Sequence, residues 1–377
     1  MADFAVIGIG RMGSQHARNL TNGRIKGSKL VAVCDTDKKK VDDFCKKHPS
    51  VKGFYDHRSL LEAKLVDAVM IAVPHYFHGQ IAKDCISAGV STLVEKPLTV
   101  TTKEAKEVIA VAKNHPECYF GMMFNQRTNR MYRKAKELIE SGAIGKVQRA
   151  NYVITDWYRS QAYYDQGGWR ASWSGEGGGT LINQCVHQLD LIQWLLGMPE
   201  RITSSCKTIG RKISTENDLY AVFGYKDFDC YFCASTHELP GENRFTIVGT
   251  KGTIVIESWK MTYTLLDKTE EQVNAETKQG YGNTGRHKHR FGYGRIRKVV
   301  DLIYGQQWRV IEAFGKAINE KNKELLIARG EEGLRSLTLI NGVYLSNWTK
   351  KTVELPFDDK VYAEILKEKA EEEKANV

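Results

Sequence analysis

Along the first third of the chain, apolar residues come in short, nearly unbroken runs at 3–7, 30–34, 68–73, 92–94 and 119–124. Runs of that length read as parallel strands buried on both faces. Between several of them lie stretches with helical periodicity, at 14–20, Lys38–Lys47, 79–88 and 103–114. The alternation predicts a doubly wound parallel sheet. The pattern changes near Asn125. A helix at 131–141 and a strand at Val147–Ile154 lead into longer segments that alternate polar with apolar, at 201–208, 218–225, 229–236, 244–249 and 253–257. These predict an open, mostly antiparallel sheet with helices over one face. Gly249-Thr250-Lys251-Gly252 predicts a hairpin turn within it. Helices are expected at Gln307–Asn319 and 331–345, and the charged tail 363–375 is expected to fray.

The first strand runs into Gly8-Ile9-Gly10-Arg11-Met12-Gly13, a helix follows, and Asp35 closes the next strand. Strand, G-x-G-x-x-G, helix, strand and acid form the dinucleotide-binding fingerprint. Gly8 permits the tight turn, Gly10 lets backbone approach a pyrophosphate, and Gly13 lets helix pack on strand. The helix N-terminus, with Arg11 and Met12 in its first turn, offers free N–H groups to phosphate. Asp35 accepts from ribose hydroxyls and repels a 2′-phosphate, which argues for NAD over NADP. The expected class is thus α/β: an N-terminal Rossmann doubly wound parallel sheet (1–124) plus a C-terminal α+β domain with a large open sheet (125–377). The length of 377 residues also asks for two domains.

Composition changes this picture little. The hydrophobic share of 42% and charged share of 27% are ordinary for a globular protein. No apolar run is long enough to span a membrane, and the chain starts on a strand with no room for a signal peptide, so the expected location is cytoplasmic. Eight cysteines in mostly apolar surroundings agree with a reducing compartment. The formal charge of +10 is spread along the chain except between Arg286 and Lys298, a basic, Gly-rich stretch read as a loop. A subunit contact or a rim over an anionic ligand suits it better than nucleic acid, which is not expected as a partner. Cys230 and Cys233 have C-x-x-C spacing but lie on opposite faces of a strand, so they read as packed thiols, and no metal site is expected.

Three constellations carry candidate chemistry. Glu95-Lys96-Pro97 ends a parallel strand, where ligands of open α/β sheets sit. There the Lys96 ammonium is placed to favour an alkoxide; a solvated loop lysine is the plainer alternative. Pro74, His75 and His78 follow another strand end, and the histidines either touch the cofactor or cap a helix. The third follows Gly177-Gly178-Gly179: Asn183 and His187, four apart, share one helix face. His187 is expected to accept a proton, with a pKa suited to neutral pH, and Asp190 to orient it or cap another element. A satisfied core histidine is the alternative. Asn125 and Arg127 join the substrate-facing candidates, as does an aromatic segment with Trp157, Tyr158, Arg159, Tyr163, Trp169 and Arg170. Such side chains stack on sugar rings, or equally form core or subunit contacts.

In order and spacing, the glycine turn, Glu95-Lys96-Pro97, the Asn183–His187 helix behind three glycines, and Gly249–Gly252 resemble the Gfo/Idh/MocA family. The resemblance covers nearly the whole chain. It implies an NAD-dependent dehydrogenase oxidising a secondary hydroxyl of a sugar, glycoside or cyclitol, with Lys96 on the reacting oxygen and His187 as base. The aromatic segment is similar to that of members that accept glycosides, including those oxidising a sugar at C3. Many relatives carry Asp where this chain has Asn183, so Asn183 is expected to hold a substrate hydroxyl and not to relay a proton. The alternatives are an NAD-dependent glycosidase working by transient oxidation and elimination, and a non-catalytic NAD-sensing protein. An open apolar sheet face suggests a homodimer or tetramer.

Overall fold

The computed structural model describes residues 1–375. The first part alternates as read: β1 (Ala2–Ile7), α1 (Arg11–Thr21), β2 (Ser28–Cys34), α2 (Lys38–Lys47), β3 (Lys52–Phe54), α3 (His57–Glu62), β4 (Ala68–Ile71), α4 (His75–Ser87), β5 (Ser91–Val94), α5 (Thr102–Asn114) and β6 (Phe120–Met122). The six strands are parallel, in order β3-β2-β1-β4-β5-β6. The order reverses beside β1, and this switch point is where doubly wound sheets open a crevice at their carboxyl ends.

A short 3-10 turn at Asn125–Thr128 leads to α6 (Arg130–Glu140), β7 (Val147–Ile154), α7 (Gln161–Asp165), α8 (Thr180–Asn183), α9 (Val186–Leu196), β8 (Arg201–Lys207), β9 (Asp218–Gly224), β10 (Asp229–Ser235), β11 (Asn243–Gly249), β12 (Gly252–Glu257) and β13 (Lys260–Leu266). Then come α10 (Glu270–Glu276), β14 (Arg286–Gly292), α11 (Arg295–Tyr304), α12 (Gln307–Asn319), α13 (Gly333–Thr349), β15 (Val353–Glu354) and α14 (Asp359–Ala375). Nine strands form one sheet in the order β14-β13-β12-β11-β7-β10-β9-β8-β15. Only β7 and β10 pair in parallel. Gly249 faces Gly252 across the expected hairpin. Along β10 burial alternates, with Cys230 and Phe232 inside and Tyr231 outside, so one sheet face meets the core and the other is open.

Three expectations change. The boundary after residue 124 is crossed by the chain itself, because α12 returns to the first sheet. Its Val310, Ile311 and Phe314 are buried with Phe4, Val6 and Leu93, and Phe314 meets the Phe4 ring edge-on at 6.2 Å. The basic stretch from Arg286 is not a loop. It forms the edge strand β14, paired with β13, and then opens α11. Arg297 donates to the Thr128 carbonyl at 2.7 Å, which ties this region to the 3-10 turn. The tail does not fray, because α14 buries Tyr362 and Leu366. Charged residues on most faces hide a two-residue apolar anchor. Among the described residues no helix is long and apolar enough to cross a membrane, and no cluster of three or more His, Cys, Asp or Glu could hold a metal.

Candidate active site

The glycine turn is shaped by the requirement for close approach. Gly8 has φ +87°, and a Cβ there would meet the Ala72 carbonyl. A Cβ at Gly13 would collide with the Gly8 carbonyl, whereas one at Gly10 would meet nothing within 4 Å. Gly10 is the N-cap of α1 and no side chain caps it. Among the described residues no side chain therefore caps the first-turn N–H groups, the arrangement that receives a phosphate. Arg11 is exposed in this turn and Met12 is 39% exposed. Asp35 holds the turn from the next strand, accepting from Ile9 N at 2.8 Å and Asp37 N at 2.9 Å. An uncapped helix start, an open Gly10 and a carboxylate at the second strand end fit a dinucleotide with free ribose hydroxyls.

The remaining strand-end residues separate into two groups. Pro74 caps α4, and His75 gives Nδ1 to the Glu176 carbonyl at 3.0 Å. Burial, with the charges of His78 and Lys96, drives the His75 pKa well down. His78, a cofactor candidate, has neither ring nitrogen free: Nδ1 faces the Pro97 carbonyl at 2.6 Å and Nε2 the Val73 carbonyl at 2.8 Å. It joins two strand ends. Glu95 likewise turns inward, because a buried carboxylate needs a partner. It meets His16 Nε2 at 2.8 Å and accepts from Lys96 N at 3.2 Å. Burial would raise Glu95, but His16 and the Lys96 charge outweigh it and hold its pKa below the usual value.

Lys96, at the end of β5, crosses to the second part of the molecule and donates from Nζ to the Asn183 carbonyl at 2.5 Å. Burial lowers its pKa, opposed by Glu95 and Glu176. Asn183 and His187 do not share one unbroken helix: α8 ends at Asn183 and α9 begins at Val186. The break lets Asn183 turn its amide to the Glu176 carboxylate. The His187 ring stands edge-on to Phe124 at 6.5 Å, and its Nδ1 is buried without a protein partner. Burial and the Lys96 charge push its pKa down to about 3. The expectation of a near-neutral pKa is therefore corrected: the ring is a neutral acceptor throughout the physiological range. Asp190 does not orient it. Asp190 binds the Arg127 guanidinium through both oxygens, at 2.7 and 2.9 Å, and Glu332 takes a third Arg127 nitrogen at 2.6 Å. Arg127, 3% exposed, is thus a structural cation and not a substrate contact. Asn125 lies beside Phe124 with its Oδ1 buried and unpartnered.

Part of the aromatic segment reaches the site. Arg170 lies between the rings of Tyr163 (5.2 Å) and Trp169 (4.8 Å) and donates to Tyr163 Oη at 3.0 Å. Trp169 stands edge-on to His75 at 6.0 Å. Arg159 packs over Tyr163 from outside. Trp157 packs against the core, and Tyr158, 43% exposed, lies under Arg211; no contact joins either to Lys96, Asn183 or His187. The loop carrying Trp169 and Arg170 is held from below by α14, whose Glu373 accepts from Trp173 N at 2.9 Å and Ser174 N at 2.8 Å.

Two buried carboxylates were not foreseen. Glu176 precedes the three glycines and accepts from Ala171 N at 2.7 Å and from the Asn183 amide. Glu216 comes from the loop before β9 and accepts from Leu181 N at 2.8 Å and Gly179 N at 3.2 Å, capping the start of α8. Burial raises both pKa values to about 7. An acid directly before a glycine run was the only local sign of Glu176, and Glu216 had none.

Comparison with known proteins agrees in both parts of the chain. The NAD-binding Rossmann-fold model of the GFO/IDH/MocA oxidoreductase family matches residues 2–122, and the model of its C-terminal domain matches 132–255. The scyllo-inositol 2-dehydrogenase (NAD(+)) of Bacillus subtilis (strain 168) is 30% identical over 260 residues, 67% of this chain and 72% of that protein. Several bacterial inositol 2-dehydrogenases match at 26–28% identity over about half of their own length. Two solved structures share the fold. Levoglucosan dehydrogenase in complex with NADH and levoglucosan superposes with TM-score 0.77 at 21% identity, covering 94% of this chain and 100% of that one. The WlbA dehydrogenase from Chromobacterium violaceum, in complex with NADH and UDP-GlcNAcA, does so with TM-score 0.77 at 22% identity, covering 95% and 96%.

Proposed function

The chain belongs to the GFO/IDH/MocA family of NAD-binding oxidoreductases, and from that premise we propose that it oxidises a secondary hydroxyl of a sugar, glycoside or cyclitol. The observation that carries this reading is the meeting of Lys96 with the Asn183–His187 segment, across 2.5 Å between Lys96 Nζ and the Asn183 carbonyl. Bound NAD+ supplies the acceptor for the hydride from the carbinol carbon. Gly8, Gly10 and the first turn of α1 would hold its phosphates, and Asp35 its ribose.

The protein side of the reaction is proton and charge management. Lys96 places an ammonium beside the carbinol oxygen, where it favours the alkoxide over the hydroxyl in a largely buried setting. Its depressed pKa comes from burial, so an anion at that oxygen relieves the penalty it carries. His187 is the proton acceptor: burial and Lys96 keep its ring neutral in the empty site. Negative charge developing on the carbinol oxygen beside Lys96 offsets the Lys96 charge and raises the basicity of the ring as the proton moves to it. Trp169 and Tyr163, with Arg170 between them, would flank one side of the bound substrate. We also propose self-association through the open face of the nine-stranded sheet, and residence in the cytoplasm, where eight thiols, most of them buried, stay reduced.

The test is NAD+ reduction against a panel of inositols, aldoses and glycosides. NADH release with an intact oxidised product supports the dehydrogenase. Cleavage of a glycoside without net NADH would mean the glycosidase variant, and NADH binding with no reaction on any polyol would mean a sensor. Lys96→Ala is expected to lower turnover by more than about a hundredfold with NADH affinity retained.

A further inference from the structure

Glu176 has no part in the scheme above, yet it is 2% exposed and touches the site directly. Other buried carboxylates near the site are committed to the scaffold: Asp190 faces Arg127, Glu95 faces His16, and Glu216 takes the N–H groups at the start of α8. Glu176 has no ion pair among the described residues. One oxygen accepts from Ala171 N at 2.7 Å, and the other accepts the Asn183 amide. Ala171 sits in the left-handed region at φ +47°, a conformation that persists in a non-glycine residue only when its surroundings hold it. Glu176 is part of that hold, at the base of the loop that carries Trp169 and Arg170.

A carboxylate only accepts hydrogen bonds, whereas an amide has one donating and one accepting end. Glu176 therefore decides which end of Asn183 points inward. With Nδ2 on Glu176, Oδ1 points away, and no protein group among the described residues donates to it. Asn183 is half-buried, and its own backbone carbonyl is already on Lys96. We propose that Glu176 is a positioning residue that sets Asn183 as a hydrogen-bond acceptor toward the substrate, so that the site selects a polyol with a donating hydroxyl next to the reacting carbinol. This rests on the polyol-dehydrogenase reading and adds the polarity of one substrate contact to it. Lys96 and Arg170 both act on Glu176 to favour its ionised form, against burial.

The test exchanges the two groups. In Glu176→Gln the new amide meets the Ala171 N–H with its oxygen and offers its NH2 to Asn183, which must turn round. Asn183→Asp sets two carboxylates against each other. The double variant restores the original polarity, with amide and carboxylate in exchanged places. Assays run from pH ~6 to ~10, because Glu176 alone ionises at about 7 whereas the facing carboxylates of Asn183→Asp share a proton to higher pH, and the single-variant losses are read at the alkaline end. The probes are scyllo-inositol, myo-inositol, glucose and a methyl glucoside, followed by NAD+ reduction and by their binding to the NADH complex. Each single variant is expected to raise KM at least about tenfold, the factor for roughly 1.4 kcal/mol, with a smaller change in kcat. The double variant is expected to return kcat/KM to within about threefold of the wild type, which loss of a purely structural bond would not allow. An unchanged KM in Glu176→Gln, or a double variant no better than the worse single one, overturns the proposal. Polyol binding that follows this pattern without any NAD+ reduction would overturn the dehydrogenase reading and leave the role of Glu176 standing. Reduction that ignores the exchange would do the reverse, and absence of any polyol binding to the wild type would overturn both.

Discussion

Two glycine loops lead into two helix starts in this molecule, and they are used in opposite ways. At Gly8–Gly13 the first turn of α1 carries no capping side chain. At Gly177–Gly179 the start of α8 is closed by Glu216, which takes Gly179 N and Leu181 N. Both loops use glycine because neighbours leave no room. A Cβ at Gly13 would strike the Gly8 carbonyl, and one at Gly179 the Glu216 carbonyl. The electrostatics differ. A helix N-terminus carries partial positive charge. In the first loop that charge is left for a ligand's phosphate, and in the second the protein neutralises it internally. The second loop is therefore scaffold: it fixes where α8 and Asn183 stand, and the reacting groups come from the following α9 and from Lys96.

This contrast can be broken at its tightest point. Gly13→Ala drives a methyl into the Gly8 carbonyl, so α1 must leave β1. NADH binding is expected to fall by more than about a hundredfold, a loss of at least ~2.7 kcal/mol, in a titration followed by NADH fluorescence. Near-native affinity would mean that the turn is not the cofactor cradle. The second loop is tested through its cap. Glu216 is raised to about 7 from an ordinary 4.5 by burial, so the folded state holds the proton more tightly than the unfolded one. Its contribution to stability is present below pH 4.5 and is lost as pH rises to about 7, by up to about 3 kcal/mol. Glu216→Gln should flatten that decline in denaturant midpoints measured across the range. An unchanged slope would show that Glu216 is not the buried acid described.

Sequence could reveal the first loop because all its parts lie within 35 residues and each acts through backbone geometry. The six-stranded sheet was legible for the same reason: continuous apolar runs leave no choice of face. The substrate side was only partly legible because its contacts join distant segments. Lys96 meets residue 183, His75 meets residue 176, and Glu216 meets residue 179. No local pattern announces such meetings. Arg127 was misjudged because a cation near a site resembles a substrate contact until its acids, Asp190 and Glu332, are in place. The edge strand β14 was missed because an almost fully exposed, basic strand shows no hydrophobic alternation.

Smaller effects sharpen the comparison. A Cβ at Gly10 meets no protein atom, so Gly10→Ala should leave the melting temperature unchanged and weaken NADH about tenfold by blocking the pyrophosphate's approach. A drop in melting temperature would place the cost in the fold and not at the ligand. Asp35→Asn removes the charge that repels a 2′-phosphate while keeping an acceptor. It should narrow the preference for NADH over NADPH by about fivefold, the worth of ~1 kcal/mol at a partly exposed charge. Tighter NADPH binding in the wild type would contradict the role given to Asp35.

The central claim is that the open loop holds the cofactor while Lys96 and His187 carry the chemistry. It is tested most directly by transfer of deuterium from a ring-deuterated polyol substrate to NAD+, in the wild type and in Lys96→Ala at saturating cofactor. The account predicts labelled NADH in the wild type, and in the variant a rate lower by more than about a hundredfold with NADH bound as tightly as before. Wild-type transfer in Lys96→Ala, or loss of NADH binding together with transfer, would contradict it.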